Sequence, residues 1–254
     1  MKVFPRSSIF VGASLLLAVS AIAQTAPAAP AAPASSLAFN AGVVSDYRYR
    51  GISQSRLKPA VQGGLDYTDK SGFYLGAWAS TIKWIEDSGA SDGSIELDIY
   101  GGYKGSLGAV SYDVGVLRYE YLGNTLGKVP AFSNANTTEL YGALTFGLFT
   151  AKYSQAITDT FGNVNSKGSS YIDLSAAIDL GSGFSLTPHV GRQVIKNSPA
   201  YSYTDYSLTL AKDLGKGLSA TAMLVGTNAK EASYTLKNKF NGKDALVVGI
   251  KYSF

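Results

Sequence analysis

Asp46, Arg48 and Arg50 stand at every second position, and an extended chain places all three on one face together with Asn40. Two guanidinium groups and a carboxylate in such a ladder suit ion selection in a pore, because rings of side-chain charge discriminate between ions. The same three residues equally suit a salt-bridge network that holds a barrel in register. Glu96 and Asp98 repeat the spacing with carboxylates alone. That pair fits general acid–base work or the acidic side of a pore. Asp66, Asp113, Asp173 and Asp179 alternate in the same way and Lys152 adds a cation, so a mixed-charge lumen is the stronger expectation. His189 is the single histidine. Ser175 and Ser185 fall on faces that could meet it, as a lipid-acting barrel enzyme would need. A triad also needs an exposed nucleophile and an orienting third group, and no motif supplies them. A lumenal, hydrogen-bonding His189 is the plainer expectation, and no catalytic residue is assigned.

The remaining chemistry is sparse. The chain has no cysteine, which excludes disulfides, thiolate metal sites and a Cys nucleophile. The acidic stretch 86–93 (EDSGASDG) lacks EF-hand spacing, so no metal and no cofactor are expected. Lys230, Lys237, Lys239 and Lys243 fall in one polar stretch and suit contact with anionic lipopolysaccharide or plain solvation. Charges of both signs are scattered, with no basic stripe for nucleic acid.

These side chains need a scaffold with a period of two. Leu37, Phe39, Ala41, Val43, Tyr47 and Tyr49 alternate with Asn40, Gly42, Asp46, Arg48 and Arg50, the mark of a strand rather than a helix. The pattern recurs along the chain. Val61, Leu65 and Tyr67 oppose Gln62 and Asp66; Ile95, Leu97 and Ile99 oppose Glu96 and Asp98; Val110 to Val116 oppose Asp113; Phe149, Ala151 and Tyr153 oppose Lys152; Ile172, Leu174 and Ile178 oppose Asp173; Phe184, Leu186 and Val190 oppose His189; Tyr206, Leu208 and Leu210 oppose Asp205; Leu246 to Phe254 oppose Lys251. Short turn signals such as Asp69-Lys70-Ser71-Gly72 and Gly181-Ser182-Gly183 alternate with long polar stretches near 50–59, 85–94, 123–137, 158–170, 196–203 and 228–244. Short turns at one end and long loops at the other characterise outer-membrane barrels.

The expected fold is therefore all-β: a transmembrane antiparallel up-and-down β-barrel of about twelve strands over 37–254, both termini periplasmic. A soluble β-sandwich also alternates. Against it stand the charged residues on one face, strands of ~10 residues that rise about 25 Å when tilted, and aromatics near strand ends. Those aromatics (Tyr47, Tyr49, Tyr67, Phe73, Trp84, Tyr103, Tyr112, Tyr119, Tyr121, Phe184 and Tyr252) suit interfacial girdles. Leu117, Tyr119 and Tyr121 break phase with Val110 to Val116. Either a β-bulge re-aims them or the strand rises beyond the lipid.

Composition agrees. Tyr (17), Phe (11) and Gly (28) are abundant, and a mean hydropathy of +0.06 is too low for a helical membrane protein. Residues 1–23 read as a signal peptide: Lys2 and Arg6, an apolar Ile9–Val19 run, then Ala21-Ile22-Ala23. Its removal lowers the net charge from +4 to +2. Residues 24–36 read as an Ala/Pro-rich linker.

Two stretches carry more than pattern. Residues 44–55 (VSDYRYRGISQS), followed by 59–67 (PAVQGGLDY) and 71–80 (SGFYLGAWAS), resemble the N-terminal signature of the TorF family of proteobacterial porins. Glu96-Leu97-Asp98-Ile99-Tyr100-Gly101-Gly102-Tyr103 and His189-Val190-Gly191 resemble it too. The resemblance implies an outer-membrane channel and names no substrate. Phe254, with Tyr252 and Ile250 at period two, resembles the C-terminal signal read by the outer-membrane assembly machinery. The expectation is thus a pore in the outer membrane of a Gram-negative bacterium. It would pass small hydrophilic solutes and contact outer-membrane lipids, with Asp46, Arg48, Arg50, Asp66, Glu96, Asp98, Asp113, Lys152, Asp173 and His189 lining it. The alternative is a non-conducting structural, adhesive or receptor barrel that acts through its loops.

Overall fold

A computed structural model of the protein describes residues 35–254. The expected leader and residues 24–34 of the linker lie outside the described residues. Twelve antiparallel strands follow one another: β1 (Ser36–Val44), β2 (Ala60–Thr68), β3 (Phe73–Thr81), β4 (Ile95–Leu107), β5 (Val110–Leu122), β6 (Thr137–Phe146), β7 (Phe149–Ala156), β8 (Ser170–Ala176, continued as Ile178–Gly181), β9 (Phe184–Val194), β10 (Tyr203–Gly215), β11 (Leu218–Thr227) and β12 (Ala245–Ser253). Each pairs with its successor, and β1 pairs with both β2 and β12, which closes the cylinder. Closure satisfies every strand edge, the condition for strands to cross lipid. No helix of the described residues is long and apolar enough to cross a membrane.

The outer wall is apolar on every strand. Leu37, Val61, Phe73, Leu144, Leu246 and Ile250 are each more than half exposed. In water, leaving that surface uncovered forfeits about 25 cal/mol per Å²; in lipid it costs nothing. Connections alternate as the turn signals require. Five short turns join β2–β3, β4–β5, β6–β7, β8–β9 and β10–β11, and six long loops leave the other end. The tightest turns use residues at positive φ, as in Lys216-Gly217 (φ 54 and 81), which matches the twist of paired strands. A Cβ on Gly217 would lie 2.1 Å from the Ser253 carbonyl oxygen.

An aromatic belt rings the turn end of the outer wall. Phe73 and Tyr103 meet edge-on at 5.0 Å, and Phe39, Phe254 and Tyr252 stack at 5.8 and 5.5 Å. Tyr47, Tyr49, Tyr119 and Tyr121 do not belong to it. All four are buried inside the barrel, contrary to the girdle expectation. Trp84 sits in a one-turn helix, Trp84–Asp87, on a long loop and meets Tyr121 edge-on at 5.3 Å.

No bulge interrupts β5, whose pairing with β4 runs unbroken from Val110 to Leu122. Leu117, Tyr119 and Tyr121 keep the inward phase of Asp113, while Arg118 and Glu120 point outward and pair at 2.8 Å. The residue types invert because the interior itself changes character towards the loop end.

Candidate functional site

That change is caused by residues 45–59. β1 ends at Val44, so Asp46, Arg48 and Arg50 do not continue its face as expected; the chain leaves the wall and folds into the lumen. Ser45 pins the exit, its N–H donating to Val248 O at 2.8 Å and its Oγ accepting from Val248 N–H at 3.0 Å. The segment then forms a miniature hairpin, pairing Arg48 with Ser53 and Tyr49 with Ile52. Arg50 (φ 46) and Gly51 (φ 79) make its turn, both in the left-handed region a two-residue hairpin needs. Gly51 is required twice over, since an added Cβ would meet Thr227 Cγ2 at 2.5 Å and Asp205 Cβ at 2.8 Å.

Asp46 organises the hairpin base. Its carboxylate accepts from Arg48 Nε at 2.6 Å, Ser53 Oγ at 2.6 Å and Ser55 Oγ at 3.1 Å. Arg48 also donates to the carbonyls of Gly51 and Lys243, each at 2.9 Å. Farther along, Arg56 forms an ion pair with Asp87 of the next loop, which raises the guanidinium's hold on its proton above the ordinary value.

The tip spans the barrel interior. Arg50 donates to Glu139 Oε2 on β6 and Gln193 Oε1 on β9, each at 2.6 Å. Its guanidinium lies 4.2 Å from the ring centroid of Tyr171 on β8 and 4.8 Å from that of Tyr49. In a twelve-strand barrel these strands stand opposite β1, so one arginine ties the hairpin to the far wall. Tyr47 and Tyr49 fill the space between. Tyr47 donates to Glu96 Oε1 at 2.8 Å and meets Trp78 edge-on at 5.3 Å. Tyr49 and Tyr119 share a hydrogen bond at 2.6 Å. Ile82, Ile85, Leu117, Tyr121 and Leu126 complete a dry cluster at the loop end.

Towards the turn end the interior is polar. Tyr100 donates to Asp66 at 2.5 Å and Tyr74 to Asp113 at 2.6 Å, with Tyr74 also bonded to Tyr141. The Lys152 and Lys104 ammonium groups lie over the Tyr141 and Tyr74 rings at 4.1 and 4.5 Å. His189 sits between two carboxylates, 2.6 Å from Asp173 and 3.7 Å from Asp205. Its Nε2 also lies 3.1 Å from Tyr171 Oη. No serine hydroxyl bonds His189 among the described residues, so the Ser–His arrangement is not formed. A narrow cleft lined by Asn40, Gln62, Trp78, Ser219, Thr221 and Lys251 offers about 20 Å³ to water centres, room for roughly one or two waters.

All ten residues singled out from the sequence thus lie inside the barrel, but they form two groups. Asp46, Arg48 and Arg50 are on the hairpin; Asp66, Glu96, Asp98, Asp113, Lys152, Asp173 and His189 are on the wall. Glu139, Tyr171, Gln193 and Asp205 were not singled out. Their alternation with outward residues marks them as inward, yet nothing local marks them as the partners of Arg50 or His189. Among the described residues no group of three or more His, Cys, Asp or Glu is placed to hold a metal ion.

The barrel resembles solved porins in fold. A KdgM porin in complex with disordered oligogalacturonate matches with a TM-score of 0.53 at 8% identity, covering 86% of this chain and 98% of that one. A NanC porin matches with a TM-score of 0.54 at 11% identity, covering 86% and 99%. Identities this low establish the architecture alone. No curated protein matches the sequence. A family profile described as "Bacterial protein of unknown function (Gcw_chp)" matches residues 28–254, and it does not carry the TorF name suggested by the signature residues. It spans every strand together with the inserted hairpin, and on that match the chain belongs to the Gcw_chp family.

Proposed function

We propose that the protein is an outer-membrane channel of a Gram-negative bacterium that passes small hydrophilic solutes or ions, with hairpin 45–59 as its constriction. The observation that carries this reading is Arg50, held across the barrel interior by Glu139 and Gln193. A hairpin anchored by a few charged contacts on the opposite wall narrows a channel without disturbing the sheet. The porin fold and the resemblance of residues 44–80 to the TorF porins support the same reading. In this orientation the short turns and both termini face the periplasm and the long loops face outward. The 1–23 leader directs export, Phe254 at the turn end is offered to the assembly machinery, and Lys237 and its neighbours meet lipopolysaccharide.

One observation favours a second reading. The hairpin and its aromatic cluster fill the loop end, as they would in a non-conducting structural, adhesive or receptor barrel that works through its loops. Planar-bilayer recordings on purified protein separate the two. The wild type and a variant with residues 46–58 replaced by a short Gly/Ser linker are compared. Small conductances that grow in the variant support the constricted channel. Electrical silence from both, with the variant still folded, supports the closed barrel. A lipid-acting enzyme has no support in the geometry around His189.

A further inference from the structure

Most carboxylates inside the barrel have a basic partner. Glu139 has Arg50 at 2.6 Å, Asp46 has Arg48 at 2.6 Å, Asp113 has Lys104 at 4.0 Å, and Asp173 and Asp205 flank His189. Asp66 is held instead by the Tyr100 hydroxyl at 2.5 Å, and Glu96 and Asp98 are the remaining exceptions. They follow one another on the inward face of β4, and neither takes part in an ion pair among the described residues. Their register neighbours are Ser80 and Tyr121 for Glu96, and Trp78 and Tyr119 for Asp98, so no cation adjoins them on either strand. The arginines of the hairpin are committed elsewhere, Arg48 to Asp46, Arg50 to Glu139 and Arg56 to Asp87.

The pair is also incompletely satisfied. Glu96 is 1% exposed, and only its Oε1 is bonded, by Tyr47. Glu96 Oε2 and Asp98 Oδ1 are shielded from solvent with no hydrogen-bond partner. A buried acceptor left unpaired costs about 1–3 kcal/mol, and more when it is charged. Two such atoms on adjacent inward positions, beside the tyrosine that seats the hairpin, provide ligands for a positive charge. Their oxygen chemistry suits hard cations, and two carboxylates make a weak site rather than a permanent metal cage.

We infer that Glu96 and Asp98 form a cation-binding site against the hairpin and give the bore a preference for cations over anions. The binding site stands on its own geometry; the preference rests on the channel reading above. The full-length protein in detergent is titrated with Tb³⁺, a luminescent oxygen-seeking cation that Trp78, directly across the ladder from Asp98, can sensitise. Luminescence is expected in the wild type. It should weaken in Trp78→Phe, where the neighbouring tyrosines remain as donors, and be lost in Glu96→Gln/Asp98→Asn. Reversal potentials in a KCl gradient should show K⁺ more permeant than Cl⁻, with the ratio falling towards one in the double variant. Sensitised luminescence without channels overturns the channel reading and leaves the site standing. Channels without cation preference, together with no sensitised luminescence that the double variant removes, overturn the site. If the double variant fails to fold, block of the wild-type K⁺ current by Tb³⁺ takes its place, and a current indifferent to Tb³⁺ overturns the proposal.

Discussion

At the loop end of the barrel, Tyr47, Tyr49, Trp78, Leu117, Tyr119 and Tyr121 form one buried cluster, with Arg50 and Glu139 buried beside it. A few residues nearer the short turns, Tyr74, Tyr100 and Tyr141 aim hydroxyls at one another and at Asp66 and Asp113, and lysines ride over their rings. Both regions use tyrosine and charge, with opposite results. The apolar outer wall is suited to lipid, and a sheet covered in that way needs no dry interior to be stable. The inside is free to be packed where a segment folds into it and polar where none does. The hairpin therefore fills one half of the barrel with a packed cluster and leaves the other half lined by polar side chains.

Removing Arg50 should erase the difference between the halves most completely. Arg50→Ala leaves Glu139 buried without its partner, a loss of about 3–5 kcal/mol that falls on hairpin docking and not on the lipid-embedded sheet. The expected outcome is faster proteolysis within residues 45–59 and larger single-channel conductance. Unchanged values on both counts would mean that the aromatic cluster alone seats the hairpin. A smaller effect is expected from Gly51→Ala, where the positive φ and the contacts with Thr227 and Asp205 together cost about 1–3 kcal/mol. Current records should become noisier, with brief openings, because the tip is lifted while Tyr47 stays docked. The smallest effect belongs to the outer wall. Arg118→Ala breaks an exposed pair with Glu120 worth at most about 1 kcal/mol, so thermal unfolding in detergent and conductance should both match the wild type. A marked loss would show that the outward charge pair braces the loop end.

Much of this molecule is written in its local pattern. Alternation at Leu37–Val43, Ile95–Lys104 or Leu246–Phe254 assigns each side chain to lipid or lumen, because successive residues of a strand must point to opposite faces. Turn chemistry such as Lys216-Gly217 marks the tight connections, and the polar stretches between strands mark the loops. Strand number, closure and the inward face of Asp66, Glu96, Asp98, Asp113, Lys152, Asp173 and His189 follow from these signals alone.

The course of the chain after Val44 does not. Residues 46–50 keep the same period of two whether they extend β1 or fold inward, so alternation is blind to the choice. Arg50-Gly51 is the one local sign of a turn. What decides the matter is contact across the barrel: Glu139, Tyr171 and Gln193, on three strands between 89 and 143 residues along the chain from Arg50 in the case of its hydrogen-bond partners, converge on one guanidinium. The same contacts explain why Tyr119 and Tyr121 face inward although their neighbours suggested an outer girdle. The sequence by itself determined the cylinder and which face of each strand meets lipid. Only the tertiary structure decided what fills the cylinder, because a lumenal contact joins residues that no local periodicity relates.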